Sequence, residues 1–364
     1  MVSSNNFATG LISVFVAIYL LEIGYSLQWV IYYLMIHHAV LLLGAFLAVF
    51  ISNKIGLVRV FILRLFFLIG YLLLLFFLPT LPILFFIIPV LSGLESAFYW
   101  TPLNILMVRN TEENTMGKSF SRFLVIPKII SFAAPIVTAF VILQYGFSAL
   151  FAIAIGIFIF STLPLLPLES EKTNFIFTWK RAREIYSENK KFFIPEVIDN
   201  LAEDAMVFWS ILVFLSLSSV FHVGAIASTV AVTSIIFTIL LGNLTDNWNK
   251  HKLITIGAIS LTLAWTLIFF IGTYTTVPWI FYVGTIFVSL AMKTFLIPYG
   301  SLLYNRARKD DAQFLVLREI PTILGRQILF VIALLFHNNL PIVFLIVGLL
   351  FTYFIFSNTR KLSQ

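Results

Sequence analysis

Apolar runs about as long as a bilayer is thick follow one another along almost the whole chain, and no other feature constrains the fold as tightly. A helix needs about 20 predominantly apolar residues to cross the hydrocarbon layer. The runs lie near residues 8–26, 28–51, 58–77, 82–107, 119–143, 147–167, 193–216, 222–245, 253–273, 277–302, 312–336 and 341–358. The expected fold is therefore an all-α membrane protein with twelve transmembrane helices. With 60% of the 364 residues hydrophobic and 11% charged, little remains for a soluble domain. The first run, Phe7 to Ile23, lacks a basic leader and a small-residue cleavage site and is expected to stay as a helix. The chain has no cysteine, which excludes disulfides and thiolate chemistry.

The connections alternate in character. Those near Ser26, Thr80, Tyr145, Ser218, Thr275 and Asn338 are very short and hold no Lys or Arg. The others hold Lys54 and Arg59, Arg109 and Lys118, Lys180 through Lys191, Lys250 and Lys252, Arg306 through Lys309, and the tail Arg360-Lys361. Basic residues of membrane proteins collect on the cytoplasmic side. The alternation thus predicts both termini in the cytoplasm of a cell inner membrane, and an even number of spans. It also accounts for the net charge of +7 without a nucleic-acid partner.

An internal repeat divides the chain. Asp246 follows Asn53 by 193 residues, Pro321 follows Pro127 by 194, and Pro298 follows Pro102 by 196. Such spacings argue for two related six-helix bundles, residues 1–167 and 193–364, as in transporters built from duplicated halves. The only long connection, 168–192, separates them. Its Phe175, Phe177, Trp179, Ile185 and Tyr186 alternate with Lys180, Arg181, Arg183, Lys190 and Lys191. That pattern suits either a helix lying in the headgroup layer against membrane lipids or a solvated linker.

The stretch Gly242-x-Leu244-x-Asp246, followed by Lys250 and Lys252, resembles the loop motif between the second and third helices of each half in the major facilitator superfamily. The first-half copy keeps Gly56 but has Asn53 in place of the acid. The stretch Leu91-Ser92-Gly93 to Tyr99-Trp100-Thr101-Pro102 is similar to that family's fourth helix, and Ala134-Pro135 with Tyr145-Gly146-Phe147 to its fifth and sixth. The resemblance covers nearly the whole length. It implies two pseudo-symmetric bundles and alternating access, with Gly242, Asp246, Lys250, Lys252, Asn53 and Gly56 as a conformational latch. On the residues alone, the same loop is also an ordinary polar turn.

Charges inside the membrane are costly, about 2.5–3.5 kcal/mol each at the centre on insertion scales. Glu22 falls in span one, Glu95 in span four, Lys128 in span five, Asp199, Glu203 and Asp204 in span seven, Lys293 in span ten, and Glu319 and Arg326 in span eleven. The family resemblance implies that spans one, four, seven and ten line a central cavity, that two, five, eight and eleven flank it, and that three, six, nine and twelve face lipid. Arg64 of span three is expected to snorkel toward the near interface.

Glu196, Asp199 or Asn200, and Glu203 share one helical face, so the Asp199–Glu203–Asp204 cluster of span seven is a candidate proton carrier, with a structural ion pair or a protonated acid hydrogen-bonded to a neighbouring helix as the alternative. Glu95 and Lys128 suit a static pair or a coupling switch. His37 and His38 can relay protons or simply pack. Arg326 can bind an anionic substrate or pair with Glu319 or Glu203. Tyr99, Trp100 and Trp209 are candidates for lining a substrate cavity. No nucleophile, phosphate-cradling or metal-spacing motif is present. The expected function is a secondary transporter without a cofactor, a monomer that takes a small-molecule substrate and protons or another coupling ion. Proton-coupled efflux leads, uptake of a sugar or organic anion is the alternative, and a membrane-embedded lipid enzyme or lipid-translocating scaffold keeps a small share.

Overall fold

A computed structural model describes residues 15–110 and 116–357, with the side chains of 116–117, 126–128, 130–131, 246 and 311 outside the described set. The described residues are all helix and connection. In chain order the helices are α1 (Phe15–Glu22), α2 (Leu27–Ile55), α3 (Leu57–Phe77), α4 (Ile88–Arg109), α5 (Met116–Ser131), α6 (Ala134–Thr162), α7 (Trp179–Asn189), α8 (Phe193–Leu217), α9 (Val220–Asn247), α10 (Lys250–Tyr274), α11 (Pro278–Ala307), α12 (Asp311–Leu335), α13 (Pro341–Leu350) and α14 (Thr352–Phe356).

Eight described helical segments are long and apolar enough to cross a membrane. The 25-residue α12 has the length but carries Arg318, Glu319 and Arg326, which lower its apolarity. Helix ends follow local chemistry. Gly56 (φ 87°) is the single residue between α2 and α3 and lets the chain turn there, a conformation that costs a side chain about 1 kcal/mol or more. The break at 132–133 precedes Pro135 in the first turn of α6, where its missing N–H is harmless. Within α6 the chain leaves helical geometry at Gly146 (φ 77°), where the sequence places the boundary between spans five and six.

Packing follows a pattern that repeats along the chain. Helix α4 packs on α2 and α3, and α11 packs on α9 and α10. Across the middle of the sequence, α2 meets α12 while α9 meets α5 and α6. Large buried aromatics fill the contacts: Trp265 stacks on Phe344 with centroids 5.6 Å apart, and Trp209 on Phe281 at 5.2 Å. Many outward faces are apolar too, with Phe66, Phe160 and Phe356 more than two-thirds exposed, as lipid-facing surfaces require.

The linker is an extended strap followed by a helix. Asn53 donates Nδ2 to the Phe175 carbonyl (2.6 Å) and its Oδ1 accepts from Phe175 N (2.9 Å) and Thr173 Oγ1 (2.6 Å). The Leu57 amide donates to Glu171 O at 2.8 Å. At its other end α7 binds α11 and α12 through Arg181 with Asp310, and through Glu188 with Arg306 (3.0 Å) and Lys309 (3.1 Å). One connection therefore bolts the α2–α3 turn to the start of α12.

Candidate functional site

Two charged rungs join α8 to α12, both of which run away from the linker. In the first, Arg318 Nε lies 3.3 Å from Glu196 Oε1, and its Nη2 lies 3.7 Å from Glu319. Glu196 is buried and also accepts from Tyr299 Oη (2.8 Å), Thr322 Oγ1 (3.2 Å) and Asn200 Nδ2 (3.1 Å). Eight residues further along each helix comes the second rung, about 12 Å deeper at 1.5 Å per residue. There Arg326 Nη2 donates to Glu203 Oε2 at 2.9 Å, and Arg326 Nε stands 3.7 Å from Asp204 Oδ1.

Close approach of the two helices makes the rungs possible. A Cβ on Gly325 would collide with the Val197 carbonyl, so only glycine fits between the levels of the two arginines. Small residues at helix contacts are how membrane bundles bring backbones together.

The second rung extends into the other half of the sequence through His38 of α2. Its Nδ1 lies 2.8 Å from the Leu34 carbonyl, which can only accept, so this nitrogen carries a hydrogen. Its Nε2 lies 3.1 Å from Asp204 Oδ2. That oxygen is buried and, among the described residues, has no hydrogen-bond donor. A single proton on Nε2 or on Oδ2 removes the deficit. His38 is eleven residues from the start of α2 and Asp204 eleven from the start of α8, each about 16 Å in, near the middle of a ~30 Å hydrocarbon layer. Asp199, Glu203 and Lys293 line an adjoining cavity of about 40 Å³ with Leu261 and Phe351. It holds a water or two, not a metabolite.

The first-half charges form a separate pair. Arg64 is buried, contrary to the expectation that it snorkels. Its Nη1 lies 3.5 Å from Glu95 Oε1, and its guanidinium sits 4.3 Å from the Tyr99 ring centroid. Span three thus turns a cation inward, because Glu95 on α4 supplies the counter-charge and Tyr99 the aromatic face. The side chain of Lys128, expected as Glu95's partner, lies outside the described residues.

The remaining sequence candidates scatter. Glu22 is exposed on the last residue of α1. Trp209 is fully buried and donates Nε1 to Thr285 Oγ1 at 2.9 Å, a packing arrangement, whereas Trp100 is exposed on α4. In the second-half loop, Gly242 is buried, Lys250 Nζ donates to Ser301 Oγ at 2.9 Å, and Lys252 is exposed with its amide capped by Asn249. The side chain of Asp246 lies outside the described residues. Asn53 and Gly56 hold the linker strap instead of a neighbouring span, with Ser170 pressed against Gly56. The sequence reading passed over Arg318 altogether. The signal was available: Arg318 and Arg326 repeat the eight-residue spacing of Glu196 and Asp204.

With this geometry in hand, a family model described as Major Facilitator Superfamily matches residues 1–316. The chain belongs to that superfamily. Among solved structures, the E. coli fucose:proton symporter superposes with a TM-score of 0.70 at 13% identity, covering 100% of this chain and 97% of that one. A bacterial homologue of the iron transporter ferroportin in its outward-facing state gives 0.68 at 15% identity, covering 100% and 97%. A bacterial homologue of the human drug peptide transporters gives 0.70 at 12%, covering 97% and 93%. No curated protein sequence matches. At these identities the structures speak for the fold. Family and fold together identify a multi-pass membrane transporter of the major facilitator superfamily, and not an enzyme.

Proposed function

We propose that this superfamily member is a secondary active transporter working by alternating access between two pseudo-symmetric six-helix bundles, residues 1–167 and 193–364. The helix contacts support the division: exchanging each span for the one six places later carries the α2–α4 and α3–α4 contacts onto α9–α11 and α10–α11. The same exchange carries the α2–α12 contact onto α9–α5.

The observation that carries proton coupling is a charge count. Around the second rung stand three carboxylates, Asp199, Glu203 and Asp204, and two fixed cations, Lys293 and Arg326. The cluster is neutral when it holds one proton, and the His38–Asp204 contact provides the place for it. Losing that proton leaves a net negative charge at mid-membrane, which is stable only with water or a cationic group beside it. A proton and a positively charged molecule therefore compete for one site, which is the logic of exchange. The reading is proton-coupled efflux of a small amphipathic cation. Arg326 already engages two carboxylates, which argues against the alternative in which it binds an organic anion.

Proteoliposomes with an imposed pH gradient test this. Substrate flux should follow the gradient and collapse with a protonophore; flux indifferent to both rejects proton coupling. Glu203→Gln removes one negative charge and makes the cluster neutral without its proton. Driven transport should vanish, and exchange of the cation should weaken with it because the negative charge that balances the cation is gone.

A further inference from the structure

A second cavity, much larger than the one at the second rung, borders the charged site only at its first rung. It has a volume of about 1120 Å³ and lies between the linker helix α7, the start of α8, and α12, with Phe46 of α2 on its far wall. Its lining is almost wholly apolar: Phe177, Ile185, Phe192, Phe193, Phe314 and Leu317 among others. It reaches from α7 at the bundle end down to Pro321, ten residues into α12. That is about 15 Å, half the thickness of the hydrocarbon layer, or one leaflet. Glu196 and Arg318 border it, and because they already pair with one another they present a neutral surface.

The mouth is different. Lys180 and Arg183 line it from exposed positions on α7, and among the described residues neither has an acidic partner. On the same helix Trp179 is 83% exposed and Tyr186 52%. Exposed amphipathic aromatics beside cations are the signature of the membrane–water boundary. Helix α7 thus sits at headgroup level, with cations over a slot as deep as one leaflet and lined for hydrocarbon.

We propose that this cavity is a site for an anionic membrane phospholipid, one acyl chain in the slot beside α12 and the phosphate at Lys180 and Arg183. The assignment rests on the linker's geometry and does not depend on proton coupling or on the transported substrate. The lipid would fill space between the strap and α12, the two parts that α7 joins.

The test is retention of lipid by the full-length protein, released from nanodiscs of equal parts phosphatidylglycerol and phosphatidylcholine and weighed by native mass spectrometry. One phosphatidylglycerol should be retained in preference to phosphatidylcholine. Lys180→Gln with Arg183→Gln should reduce that preference by about tenfold or more, since each basic residue near an anionic surface is worth about 1 kcal/mol. Ala182→Trp, which puts an indole into the slot where an acyl chain would lie, should abolish retention of both lipids. Equal retention of the two lipids overturns the headgroup assignment, and so does an unchanged preference in the double variant. Retention that survives Ala182→Trp places the lipid elsewhere and overturns the site.

Discussion

His38 Nε2 lies 3.1 Å from Asp204 Oδ2, and this contact ties α2 to α8 about halfway along their membrane-spanning lengths. Among the described residues it is the one charged contact between the first-half spans and the α8–α12 rungs. Because it needs a proton to be comfortable, protonation and the relative position of α2 and α8 are linked. Asp204→Asn should abolish gradient-driven flux in proteoliposomes and weaken substrate exchange, since it removes the charge for which proton and cation compete. His38→Gln leaves Asp204 able to hold the proton, so coupling should survive with an altered pH dependence. Unchanged pH dependence in both variants would remove this pair from the mechanism.

Gly325→Ala probes the rungs without touching a charge. The added methyl group meets the Val197 carbonyl, backbone that cannot swing aside. Overpacking of this kind costs about 1–3 kcal/mol. We expect a lower unfolding midpoint in detergent and slower transport, because both arginine rungs widen together. A variant with wild-type stability and flux would mean that α8 and α12 separate freely.

The buried Arg64–Glu95 pair calls for a double-mutant cycle. Glu95→Gln takes this carboxylate from Arg64 and Arg64→Met takes this cation from Glu95, so each alone should destabilise by about 3–5 kcal/mol. The double variant Arg64→Met with Glu95→Leu should recover most of that loss. Three equally unstable variants would show that packing against Tyr99, and not charge, is what Arg64 contributes.

Asn53 anchors the strap through three hydrogen bonds to Thr173 and Phe175. Asn53→Ala should release residues 169–178, seen as faster cleavage there in limited proteolysis of the reconstituted protein. Leaving buried backbone groups unpaired costs about 1–3 kcal/mol. Asn53→Asp, which brings back the acid of the family motif, should not restore the anchor, since a carboxylate cannot donate to the Phe175 carbonyl.

The membrane fold was legible in the residues themselves. Runs of about 20 apolar side chains admit little besides helices, and Gly56, Pro135 and Gly146 mark turns through backbone sterics that act within a residue or two. The concentration of acids in span seven was legible for the same local reason, since Glu196 and Glu203 recur at helical spacing. Which charge meets which was not. Glu95 pairs with Arg64 from a helix expected to face lipid, Asp204 with His38 from across the bundle, and Asn53 with a linker more than a hundred residues away. Hydropathy and periodicity describe one helix at a time, whereas these partners are chosen by how helices rotate and approach, which a glycine such as Gly325 settles only once Val197 is opposite it.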